Sequence, residues 1–94
     1  MNISLEDFGN ERYTILKILY INRTKVKEDY YTSLSQQEIA DIAHYSKLKT
    51  NRIINELKNM NCVLPYQNKK GKYIITTTGE KVLQLMQVSI WGGI

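Results

Sequence analysis

Lys47, Lys49, Asn51 and Arg52 fall within six consecutive positions and offer two ammonium groups, an amide and a guanidinium. Ammonium groups attract phosphate, whereas an amide or a guanidinium can bond bidentately to the edge of adenine or guanine. Lys47 and Lys49 therefore read as phosphate contacts, and Asn51 and Arg52 as candidates for base edges. Such side chains act together only if a helix turns them to one side. The surrounding sequence supplies one: Ser46 can cap a helix from Lys47 to about Asn59. Ile53, Ile54 and Leu57 recur at three- and four-residue spacing and face inward, with Thr50 one turn earlier on the same side. Leu48 is apolar at an outward position, and its side chain either meets a thymine methyl or folds back on the protein.

A second helix must brace the first. Ser35-Gln36-Gln37-Glu38 is a capping box, in which the serine oxygen takes the amide three residues on and Glu38 returns to the serine amide. Ile39, Ala40, Ile42 and Ala43 then form an apolar face, with small alanines where a crossing helix must approach. His44-Tyr45-Ser46 breaks the pattern; histidine is among the residues that tolerate the left-handed backbone a tight turn requires. Tyr45 can donate to a phosphate from this turn or pack against the protein. Leu34 to Val63 thus reads as a helix-turn-helix whose second helix can lie in the major groove of DNA.

Asn61 suits a left-handed C-terminal cap. Cys62 to Tyr66 and Tyr73 to Thr77 are β-prone runs around Asn68-Lys69-Lys70-Gly71, a hairpin tip. Pairing Tyr66 with Tyr73 as a cross-strand pair sets Leu64 opposite Ile75, and Pro65, which cannot donate to a ladder, places its strand at the sheet edge. Lys69, Lys70 and Lys72 can reach backbone phosphates from such a wing. Asn10 can cap a largely apolar first helix from Glu11 to Asn22. Arg23 to Ser33 reads as a polar loop ending in a short extended piece over Tyr31 to Leu34. Thr76 or a neighbouring threonine can cap a last helix from Thr77 to Ser89, rich in Val82, Leu83, Leu85 and Met86. The predicted order is helix, short strand, helix, helix, hairpin, helix, an α+β and mainly α arrangement.

Charge is distributed unevenly. The 94 residues carry a net +4, but residues up to Ala43 sum to −2 and those from His44 onward to +6. The positive half is the half proposed to touch phosphate. The chain fits a single domain over residues 1–94, in which a hydrophobic share of 43% suffices for a small core and dimerisation would enlarge it. One cysteine, no leader-like start and no long apolar run point to the cytoplasm and away from the membrane. Cys62 is read as an inert core thiol, and the lone His44 lies far from any ligand cluster. Neither a metal, a cofactor nor an enzyme is implied.

Three segments together resemble winged helix-turn-helix transcription regulators of the MarR and PadR type. They are Leu34-Ser35-Gln36-Gln37-Glu38-Ile39-Ala40, Ser46 through Val63, and Ile75-Thr76-Thr77-Thr78-Gly79-Glu80-Lys81-Val82-Leu83. The resemblance implies a homodimer on palindromic double-stranded DNA, with recognition helices in adjacent major grooves and wings along the minor groove or backbone. Lys47, Lys49, Thr50, Asn51 and Arg52 match the groove-facing turn, with Tyr45 and Ser46 leading into it, and Lys69, Lys70 and Lys72 match the wing tip. The first and last helices would form the dimer interface, burying Ile18, Ile21, Leu85, Met86 and Trp91 in part. The same architecture serves plasmid replication or partition proteins and, in a different class, protein-interaction modules.

Overall fold

The computed structural model describes residues 9–91, with side chains through Met86. The expected packing of Trp91 on a second subunit, and the end that follows it, lie outside the described side chains.

Helix α1 spans Asn10–Ile21. Asn10 is its first residue and not its cap: Gly9 occupies the cap position at φ 81°, with no side-chain cap bond, and its carbonyl accepts from the Tyr13 amide at 3.2 Å. The expected short extended piece is present as part of strand β2 (Asp29–Ser33), but the loop before it is instead strand β1 (Arg23–Val26), which pairs with β2 in a hairpin that turns at Lys27 with φ 57°. Helix α2 is Gln36–Ala43, α3 is Lys47–Asn59, β3 is Val63–Pro65, β4 is Lys72–Ile75 and α4 is Thr77–Trp91. The strands form one antiparallel sheet in the order β1-β2-β4-β3, so Pro65 does lie on an edge strand.

Local chemistry sets the helix ends. Ser35 accepts from the Glu38 amide at 3.1 Å while the Glu38 carboxylate accepts from the Ser35 amide at 2.9 Å, which completes the capping box. His44 ends α2 in the left-handed region at φ 59° and ψ 39°. Ser46 caps α3 by accepting from the Lys49 amide at 3.0 Å, and Asn61 beyond the far end stands at φ 60°.

The core lies where α1, α2 and α3 meet the inner sheet face. Ile15, Leu16 and Leu19 of α1, Ile39 of α2, and Ile53, Ile54 and Leu57 of α3 are fully buried, joined by Val63 and Cys62. Ile42 falls off the apolar face of α2 and is exposed. Thr32 is one of two polar members of this core among the described residues; its hydroxyl donates to the Leu19 carbonyl, so this buried group is satisfied. Burial also pushes the Cys62 thiol up from its ordinary value, which disfavours the reactive thiolate.

The wing register differs by one residue from expectation. Pro65 faces Tyr73 and Leu64 faces Ile74, because a tight turn over Tyr66–Asn68 follows Pro65 at once. Gln67 and Asn68 both take positive φ there, as does Gly71. Tyr66 and Tyr73 consequently do not pair. Tyr73 turns inward and is nearly buried, while the Tyr66 ring stacks on Tyr31 with centroids 4.5 Å apart. Desolvation, helped by its hydrogen bond to the Asp29 carboxylate at 3.2 Å, pushes the Tyr66 phenol up.

Candidate nucleic-acid interface

The outward stripe of α3 and the wing tip share one concave surface. Asn51, Asn55 and Lys58 of the helix line it together with Lys69 and Lys70 of the wing. Next to it, Lys47 and Lys70 line a second depression with Gln36 and Gln37 from the start of α2. Neither lining includes an acidic residue among those described. Two elements distant in sequence thus carry lysines on one concave surface. The wing is held in place by a backbone bond from the Leu34 amide to the Gly71 carbonyl at 3.1 Å.

Gln36 has a part that its sequence position did not reveal. Its Nε2 donates to Asn51 Oδ1 at 2.9 Å, so the amide expected to read bases is held by a second amide from the bracing helix. The capping signal showed where α2 starts, but not that its first residue reaches across to α3. Lys58 was also missed; its ammonium lies 5.7 Å from the centroid of the Tyr73 ring and belongs to the same concavity. Lys72 sits back from the tip, 5.4 Å from the centroid of Tyr31, whereas Lys69 and Lys70 are exposed.

On the opposite flank of α3 the cations are already paired. Glu11 of α1 accepts from the Lys49 ammonium, and Arg52 Nη2 lies 3.9 Å from its other oxygen. Glu56 bridges Arg52 at 3.0 Å and Arg12 at 3.1 Å. The Lys49 bond is the main reason the Glu11 carboxyl is held below its ordinary value, with the fields of Lys49, Arg52 and Arg12 adding to it against a partial desolvation. Lys49 also stands 4.2 Å from the centroid of the Tyr45 ring. Tyr45 packs against the core.

Thr50 is the correction among the proposed contact residues. It is fully buried beneath α3, so it has no surface to offer a groove. Its hydroxyl finds no hydrogen-bond partner among the described residues. An isosteric Thr50→Val change removes that unpaired group, and urea denaturation should show a gain of about 1 kcal/mol, because a buried unsatisfied hydroxyl costs about that much or more.

The helix-turn-helix with a lysine-tipped antiparallel wing defines the winged helix architecture. No family model matches the chain, and no curated protein matches it. Solved structures do. A point mutant of MepR from a multidrug-resistant S. aureus clinical isolate matches at a TM-score of 0.66 and 21% identity, over 93% of this chain and 60% of that one. The M. tuberculosis transcriptional regulator MosR, solved in complex with DNA, matches at 0.66 and 17% over 90% of this chain and 59% of that one. A CRP-family transcriptional regulator from Thermus thermophilus matches at 0.63 and 14%, over 81% and 41%. The chain has the winged helix-turn-helix fold of these regulators, and it spans about 60% of the length of the first two. Among the described residues, no helix is long and apolar enough to cross a membrane.

Proposed function

We propose that the chain binds double-stranded DNA sequence-specifically and acts as a transcription regulator of the repressor type, by occupying an operator as a homodimer. The observation that carries this is the concavity shared by α3 and the wing, in which Lys69 and Lys70 stand beside Asn51 and Asn55. Lysines at its rim suit phosphates, and the amides between them suit base edges. Lys47, Lys49, Asn51 and Arg52 from the helix, Tyr45 and Ser46 from the turn, and Lys69, Lys70 and Lys72 from the wing are the proposed contact set. The fold match to MosR, whose structure holds DNA, agrees with this reading.

Part of the expected dimer interface is used up inside the fold. Ile18 and Met86 are buried within the chain itself, which leaves Ile21, 65% exposed, and Leu85, 49% exposed, as candidates on α1 and α4. Fluorescence anisotropy on duplexes at low ionic strength, read alongside the mass from light scattering, tests both parts. Retention of duplex with a steep salt dependence by a particle of twice the chain mass is expected. Indifference to every duplex overturns the function, and a monomer at micromolar concentration overturns the homodimer.

Glu11 should act as a brake on this binding. Its carboxylate occupies Lys49 and Arg52, the cations a phosphate would need, and its charge repels the duplex. Glu11→Gln is therefore expected to tighten binding about three- to tenfold at ~0.1 M salt, the scale of one unscreened charge pair at several ångströms in water. The fold should hardly notice, since exposed ion pairs contribute little. Because its pKa is lowered on folding, the ion pair's small contribution is present above the unfolded-state value and is lost as pH falls through the folded one. Wild-type affinity should accordingly rise toward that of the variant on acidification.

A further inference from the structure

Leu48 is the second residue of α3 and is 80% exposed, more than any other large apolar side chain among the described residues. A solitary exposed leucine is ordinary. This one is distinguished by its neighbours. Leu48, Asn51, Arg52 and Asn55 share a shallow groove, at the three-, four- and seven-residue offsets that align side chains along one face of a helix. The other members of that stripe are hydrogen-bonding groups, so Leu48 is the apolar point in a polar row. It does not fold back onto the core, and it lies in the first turn, the part of a recognition helix that meets base edges. Among the base edges of the major groove, the C5 methyl of thymine is the apolar group that an isobutyl side chain can cover in exchange for its hydration.

We propose that Leu48 reads thymine, by packing against the C5 methyl group in the major groove while Asn51, Arg52 and Asn55 bond to neighbouring edges. The proposal deepens the duplex-binding reading given above and rests on it.

The test begins with random duplexes enriched on the wild-type chain, followed by replacement of each thymine in the enriched sequence with deoxyuridine, one at a time. That exchange removes one methyl group and leaves every hydrogen-bonding atom in place. The wild-type chain is expected to lose about fourfold in affinity at one thymine per half-site, the factor equivalent to ~0.8 kcal/mol for one buried carbon. Leu48→Ala should bind the thymine and deoxyuridine duplexes equally there, with an unchanged melting temperature because the side chain has no role in the core. If the wild-type chain tolerates deoxyuridine at every position, or the loss persists in Leu48→Ala, the proposal is overturned although duplex binding stands. A Leu48→Ala variant that keeps the discrimination but changes the particle mass would assign the leucine to a protein contact and also overturns it. If no duplex is enriched at any salt concentration, the function proposed above fails and takes this inference with it.

Discussion

Gly79→Ala is expected to destabilise the protein by about 3 kcal/mol, at the upper end of the usual cost of overpacking, and to lower its melting temperature by roughly 12–24 °C. A methyl group at Gly79 would stand 2.3 Å from the Cys62 carbonyl oxygen and 2.8 Å from Ile75 Cγ2. The first obstacle is backbone, and it is pinned. The Cys62 carbonyl accepts from the Thr76 amide at 3.0 Å and from the Thr76 hydroxyl at 3.2 Å, while that hydroxyl also accepts from the Gly79 amide at 3.0 Å to cap α4. Relief of the clash therefore requires α4 to move away from the strand that begins the wing. Alanine outranks glycine in helix propensity, so a clear loss reports the close approach and not helix propensity. Thermal denaturation with circular dichroism checks it, and a variant as stable as the wild type would remove this contact from the account.

The same junction shows what is legible in the chain. Elements whose ends carry their own chemistry were readable: Ser35 with Glu38, His44, Ser46 and Asn61 mark the limits of α2 and α3 through bonds made within a few residues. The inward set Ile53, Ile54 and Leu57 followed from helical spacing and is fully buried. The β1–β2 hairpin was not readable because most of it extends beyond the core. Thr24, Lys25 and Val26 are all exposed, so no alternation of burial marks the strand, and its turn uses Lys27 where glycine or asparagine would have been the signal. The aromatic and β-branched content of Val26, Tyr30, Tyr31 and Thr32 was the available clue. The wing slipped by one residue because Gln67 and Asn68 both adopt left-handed backbone, which lets the chain turn directly after Pro65. Nothing in a run of polar residues announces that.

The candidate site divides in the same way. The outward polar stripe of α3 follows from one helix's periodicity, and that periodicity also placed Thr50 inward; matching it to a groove-facing turn set resemblance against spacing, and spacing prevailed. Partnerships across the fold were out of reach. Glu11 meets Lys49 only because α1 crosses α3, and Gln36 meets Asn51 only because the turn at His44 folds α2 back across α3. These contacts decide which cations are free, and charge counting along the chain cannot see them.

The cations left free set the second large effect. Lys47, Lys69 and Lys70 are exposed and make no ion pair among the described residues, whereas Lys49 and Arg52 are engaged by Glu11 and Glu56. In the proposed complex the three free lysines would displace counterions from the duplex without first giving up a protein partner. Each phosphate neutralised contributes a salt slope of about −0.9. Replacing all three by alanine should make the logarithmic slope shallower by about 2.7 for each protomer bound, about 5.4 for the dimer, and weaken binding at ~0.1 M salt by about 500-fold per half-site, uniformly across duplex sequences. Stability should be almost unaffected, since none of the three supports the core. Anisotropy titrations at several salt concentrations distinguish the outcomes. A slope that stays as steep as the wild type's would show that these lysines are a solvated turn and helix end, and would move the phosphate contacts to Lys49 and Arg52, which Glu11 must then release before the duplex can bind.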